Sequence, residues 1–206
     1  MDLEQAKRRD KKVSITDEAI KKIPKLKYPT LTDVQNEIVT ILASEVLELS
    51  KNENECNEVA ITYCLEDDQI GISYGDEHGV NPLSDTVSAH LLMSGKPLTV
   101  VSIHNHPSTQ TFSLEDIQFF IGYSSVRLMV LVGNQGVIHY MSKNNRYIPE
   151  NAYFLLHEFF KMIKGDMTVK EIINITEQFL KRCCEIGIDY HKGRWYIWVS
   201  SIINQR

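Results

Sequence analysis

Hydrophobic positions recur along this chain in two periods, and the switches between them predict its elements. Val34, Ile38, Ile41, Leu42, Val46 and Leu49 fall at helical spacing behind Thr32, which forms a capping-box pattern with Gln35, so the segment predicts a helix over 32–51. Val59, Ile61 and Tyr63 then alternate as in a strand, and a second strand near 69–74 pairs with it through an Asp67-Asp68 turn. Residues 84–94 read as a helix closed by Gly95 and Pro97. The β-branched, almost wholly apolar run 98–103 suits a central strand buried on both faces. A helix over 113–123 follows, then strands over 126–132 and 137–141 joined across Gly133-Asn134-Gln135-Gly136. Two amphipathic helices come next, 150–164 and 168–186, the second with Thr168 and Glu171 as its capping box and Gly187 as its stop. A short helix over 17–23 precedes all of these, and the apolar stretch 194–203 suits strand and helix equally.

The helices fall between groups of strands rather than in strict βαβ alternation, so the expected class is α+β, a central mixed sheet flanked by helices with a C-terminal helical extension. The expected boundaries are an N-terminal arm over 1–29, a core domain over 30–145 and the extension over 146–206.

Composition narrows the function classes. The 206 residues allow one packed domain with an appendage or two small ones. No apolar stretch approaches the roughly 20 residues that cross a bilayer, and the charged residues 1–12 lack the apolar centre of a secretory signal. The expectation is a cytoplasmic protein with no membrane partner. The four cysteines form no C-x-x-C pair and read as reduced thiols, with the adjacent Cys183 and Cys184 packed in a core. A net charge of −5 argues against a general nucleic-acid binder, but the charge is uneven. Residues 1–27 hold nine Lys or Arg against five Asp or Glu, and the remainder holds 13 against 22. This basic arm reads as a solvated terminus, separable from the core; contact with phosphate or an acidic partner is the alternative.

The chemistry gathers in His104-Asn105-His106-Pro107 and Ser113-Leu114-Glu115-Asp116. Side chains at i and i+2 of an extended chain share a face, so the imidazoles of His104 and His106 converge, and Pro107 keeps His106 out of a helix. Asp116, one helical turn after Ser113, can supply a third ligand. Two histidines and one carboxylate leave zinc an open fourth position, as in catalytic sites. Taken separately, a hydrogen-bonded core histidine and a Ser-x-x-Asp helix cap account for each half of the pattern; the metal reading rests on their conjunction.

At these residues the sequence resembles the JAB/JAMM (MPN-plus) metalloprotease family, most closely its RadC-like bacterial branch, whose hallmark is His-x-His-Pro, a short loop and Ser-x-x-Asp. The resemblance spans about 32–141, and the loop 107–112 is one residue shorter than the family's usual spacing. It implies a JAB/MPN-like fold, one zinc ion per chain on His104, His106 and Asp116, and Ser113 as a stabiliser of the oxyanion. It also implies a glutamate from an upstream strand as the general base on zinc-bound water. Glu58, at the head of the Val59 alternation, is the candidate; Glu55 is its rival, and a solvated glutamate before a strand is the plain alternative. The implied activity is a zinc metallopeptidase or isopeptidase acting on a protein or peptide, with the tail of a ubiquitin-like or other small protein as the substrate the family suggests. Resemblance to versions carried on phages and mobile elements adds a mobile-element or defence context. The extension beyond 150 has no counterpart in the minimal family core.

Two other classes compete. A metal-dependent nuclease is prompted by the literal string His-Asn-His and the basic arm, although nucleases named for those letters spread them over a ββα unit and the acidic body opposes DNA. A non-catalytic binding module of the same fold is the third. His78, His90, His139, His157 and His191 lack partners at ligand spacing, and Tyr153, Phe154, Phe159 and Phe160 read as the seam that docks the extension.

Overall fold

A computed structural model describes residues 12–108 and 111–193, so the ambiguous stretch 194–203 lies outside the described residues. The fold is α+β, a six-stranded mixed sheet with helices on both faces. In chain order the helices are α1 (Asp17–Lys21), α2 (Asp33–Glu53), α3 (Thr86–Ser94), α4 (Leu114–Gly122), α5 (Pro149–Phe160) and α6 (Val169–Arg182). The strands are β1 (Val59–Cys64), β2 (Ile70–Tyr74), β3 (Val100–His106), β4 (Val126–Gly133), β5 (Ile138–Lys143) and β6 (Ile188–His191), in the sheet order β2-β1-β3-β4-β5-β6. Among the described residues, only β3 and β4 run parallel, joined by the α4 crossover; every other pair is antiparallel.

Capping sets where the helices begin. Thr32 with Gln35, Ser113 with Asp116 and Thr168 with Glu171 each form a reciprocal box that satisfies two otherwise orphaned backbone donors. Residues 84–94 divide into a 3₁₀ turn over Pro82–Ser84 and α3, because Asp85 takes the cap position with its carboxylate on Ser88 N. Gly187 ends the last helical turn at φ +76°, a conformation that suits a residue without a Cβ.

Strand alternation sorts the core into two halves. Val59, Ile61, Tyr63, Val101 and Ile103 point to the face covered by α2, together with Val39, Val46 and Leu47. Cys64, Val100, Leu131 and Met141 point to the other face, under Leu91, Ile117, Phe120, Leu155, Phe159 and Phe179 from the remaining helices. β1 is therefore buried at all six positions, and the alternation read from its sequence separates two interiors rather than core from solvent.

Four expectations need correction. The described part of the arm is not simply solvated: Ile15, Ala19, Ile23 and Tyr28 are buried, and Ile15, Ile23 and Tyr28 pack in one cluster with residues of α2 and the sheet. Val13 N donates to Pro107 O at 2.8 Å and Val13 O accepts from Asn134 Nδ2 at 2.8 Å, which ties the segment to the loop after β3. The extension also adds a strand, β6, which pairs with β5 at the sheet edge. Within it, Ala152, Leu155, Leu156 and Phe159 form the buried stripe at i, i+3, i+4 and i+7 with Phe160 packed beside them, whereas Tyr153 and Phe154 face solvent at 50% and 67% exposure. Of the paired cysteines, Cys183 is buried and Cys184 exposed, since a 3₁₀ turn over Cys183–Ile186 sends neighbours to different sides.

Lys143 ends β5 inside this core, 2% exposed, its ammonium donating to Tyr123 O at 2.9 Å and lying over the rings of Phe120 and Tyr147 at 4.8 and 4.9 Å. Burial pushes its pKa down to about 7. In the unfolded chain a lysine titrates near ~10.4, so between these values the unfolded state binds more protons and stability rises with pH. Lys143→Met should therefore unfold at a higher temperature than the native chain at pH 7, and the gap should close by pH 10. Thermal melts at both pH values check this; a gap independent of pH would show that the lysine is buried without a charge penalty.

Candidate metal centre

His104 and His106 occupy the C-terminal end of β3 and face the helical layer that contains α4; both are buried, at 5% and 8% exposure. Their Nε2 atoms lie 3.2 Å apart. Asp116 enters from the first turn of α4, with Oδ1 at 3.3 Å from His104 Nε2 and Oδ2 at 3.5 Å from His106 Nε2. One ligand atom from each residue falls within 4.8 Å of the other two, so the cluster can hold a metal ion.

The helix cap and the cluster are one construction. Ser113 Oγ accepts from Asp116 N at 3.0 Å and donates to Asp116 Oδ2 at 2.7 Å, and Ser113 N donates to the same oxygen at 2.6 Å. The capping box thus fixes the carboxylate that the imidazoles meet. Burial alone would push the Asp116 carboxyl up, but His104, His106 and the Ser113 hydroxyl hold it well below the usual carboxylate range. For His104, burial opposes the charged ring, yet the Asp116 carboxylate and the negative charge of Glu58 outweigh it and raise its pKa. Such a site favours positive charge at its centre.

Glu58 directly precedes β1. The β1–β3 register pairs Ala60 with His104 and ends there; Glu58, two residues before Ala60, falls on the same face as His104, whose ring feels its negative charge. It is buried, and its backbone is pinned by Asp76 O, Gly75 N and Asn54 Nδ2. Glu55 is exposed at φ +52° in the turn after α2. The structure therefore brings Glu58, His104, His106, Ser113 and Asp116 to one end of one sheet face and leaves Glu55 outside.

Three contributors escaped the sequence reading. Phe112, 2% exposed, lies 6.4 Å from the His104 ring and 6.3 Å from that of Tyr190 in β6, whose hydroxyl is 3.1 Å from Thr111 Oγ1. The extension thus supports the loop between the ligands. The third is Asn105, fully buried between the two histidines with its side chain on the opposite face. A polar residue inside an apolar central strand was the available signal. Of the remaining histidines, His78, His90, His157 and His191 are exposed; His139 is buried, and burial beside Lys192 and His191 pushes its pKa down to about 4.

No protein-family model matches the chain, and neither the curated proteins nor the solved structures hold a significant match to it. Among the described residues, no helix is long and apolar enough to cross a membrane.

Proposed function

We propose that this protein is a zinc-dependent metallopeptidase or isopeptidase of the JAMM type, working in the cytoplasm on an amide bond of a protein or peptide. The observation that carries the reading is the convergence of donor atoms from three residues: the two imidazole Nε2 atoms stand 3.2 Å apart, with Asp116 Oδ1 3.3 Å from that of His104 and Asp116 Oδ2 3.5 Å from that of His106. Ligands at ~2.0–2.1 Å from a tetrahedral zinc ion stand about 3.3 Å from one another, and donor atoms of the two imidazoles and the carboxylate that all lie within 4.8 Å of one another are close to that scale. Zinc held there would supply a Lewis acid for the substrate carbonyl and an activated water nucleophile.

The chain's own groups then divide the work. Glu58, on the histidine face, takes the proton of the attacking water and passes it to the leaving nitrogen. Ser113, at the head of α4, exchanges the Asp116 oxygen it now serves for the developing oxyanion. Phe112 screens one side of His104 from water. The substrate in this reading is the tail of a ubiquitin-like or other small protein.

The test uses zinc-loaded full-length protein and a chain lacking residues 1–11. A cut at residue 27 would also remove the buried Ile15 and Ile23. Each is incubated with a ubiquitin-like fusion and with single- and double-stranded DNA. Both proteins should cut the amide bond, lose activity with a chelator and leave DNA intact. Metal-dependent cutting of DNA but of no peptide bond would overturn the proposal in favour of a nuclease, and metal-bound protein inert on both would favour a binding module.

A further inference from the structure

Asn105 ties together elements that meet beneath the metal centre. Its Oδ1 accepts from Val59 N at 2.7 Å, and the two hydrogens of its Nδ2 are shared among Asn134 Oδ1 at 2.8 Å, Asn57 O at 3.1 Å and Ser50 Oγ at 3.1 Å. Asn134 cannot turn its amide round, because its own Nδ2 serves Val13 O and Cys56 O. That fixes which edge of Asn105 is donor and which is acceptor.

Two of these bonds fall on the backbone on either side of Glu58. The register between β1 and β3 ends at Ala60 and His104, and beyond that pair the Asn105 carboxamide takes over, meeting Asn57 O on one edge and Val59 N on the other. Ser50 Oγ braces the same carbonyl, donating to Asn57 O at 2.6 Å. We propose that Asn105 is a positioning residue for Glu58: from the far face of β3 it fixes the backbone at residues 57 and 59, and so holds the Glu58 carboxylate on the face that carries His104 and His106. The role demands a flat group with a donor and an acceptor. Serine or alanine cannot span both contacts, and aspartate would set a negative oxygen against Asn57 O and Asn134 Oδ1. The inference rests on the metal-centre reading and adds that the residue between the ligands sets the place of the base.

The test is a double-mutant cycle on cobalt(II) affinity, measured by chelator competition on the full chain. Glu58 already favours positive charge at His104. Glu58→Gln should therefore weaken cobalt binding roughly threefold to tenfold in the native background, the scale of one partly buried charge. In an Asn105→Ala background, where the carboxylate is no longer held in place, the same change should cost less than about twofold. Ser50→Ala, a milder loss in the same network, should shrink the Glu58 effect in the same direction and serves if Asn105→Ala does not fold. An equal loss in native and variant backgrounds, in chains with intact thermal transitions, would overturn the positioning role alone. Absence of cobalt binding by the native chain would overturn the metal centre and this inference with it.

Discussion

Glu58→Gln should lower turnover of the cleaved amide substrate by roughly 100-fold or more, the scale on which a general base acts, while the chain keeps its metal. The substitution preserves shape and the backbone bonds: Glu58 N donates to Asp76 O at 3.1 Å and Glu58 O accepts from Gly75 N at 2.8 Å and Asn54 Nδ2 at 2.8 Å. None of these backbone contacts depends on the carboxylate, so the fold should survive. What disappears is a proton acceptor on the histidine face of the sheet. The three ligands stand on β3 and α4 rather than on β1, so occupancy at saturating metal should stay at one ion per chain. Steady-state kinetics beside elemental analysis separates the two effects. If Glu55→Gln were the inactive variant and Glu58→Gln the active one, the base would lie in the exposed turn after α2, and the register argument would be wrong.

The ligand cluster is legible in the sequence because each half of it follows a local rule. The two-residue period of a strand puts His104 and His106 on one face, and the Ser113 capping box presents Asp116 at a helix start whatever the rest of the chain does. Long helices were equally readable: α2 carries seven buried positions behind a capped start, and its observed span differs from the expected one only at the ends. What escaped depends on distant partners. β6 has four residues, too few for a period, and exists as a strand only because β5 offers it an edge. The packing of residues 12–28 was masked by their lysines, since Ile15 and Ile23 find their apolar neighbours only once α2 and β3 are in place. The role of Asn105 is the extreme case, with partners at Ser50, Asn57, Val59 and Asn134 that no local pattern brings together.

The second large effect follows from the ligands themselves. His104→Ala with His106→Ala removes two of three donor atoms and leaves Asp116 bonded only within its own helix cap, to Ser113. A single carboxylate already engaged by two donors is a poor site for a divalent ion, so metal content should fall from one ion per chain to none and turnover with it. The change also deletes the opposite charges that hold the Asp116 carboxyl low, and each alanine leaves space under α4. Some loss of thermal stability is therefore expected, and circular dichroism is needed to show that the variant is folded when its metal is counted. The deciding measurement is elemental analysis of the native protein purified without added metal, alongside that folded double variant. The proposed function predicts one zinc per chain in the first and none in the second. Equal zinc in both, or a native chain that takes up no metal even when it is offered, would contradict the central claim that His104, His106 and Asp116 form a metal centre.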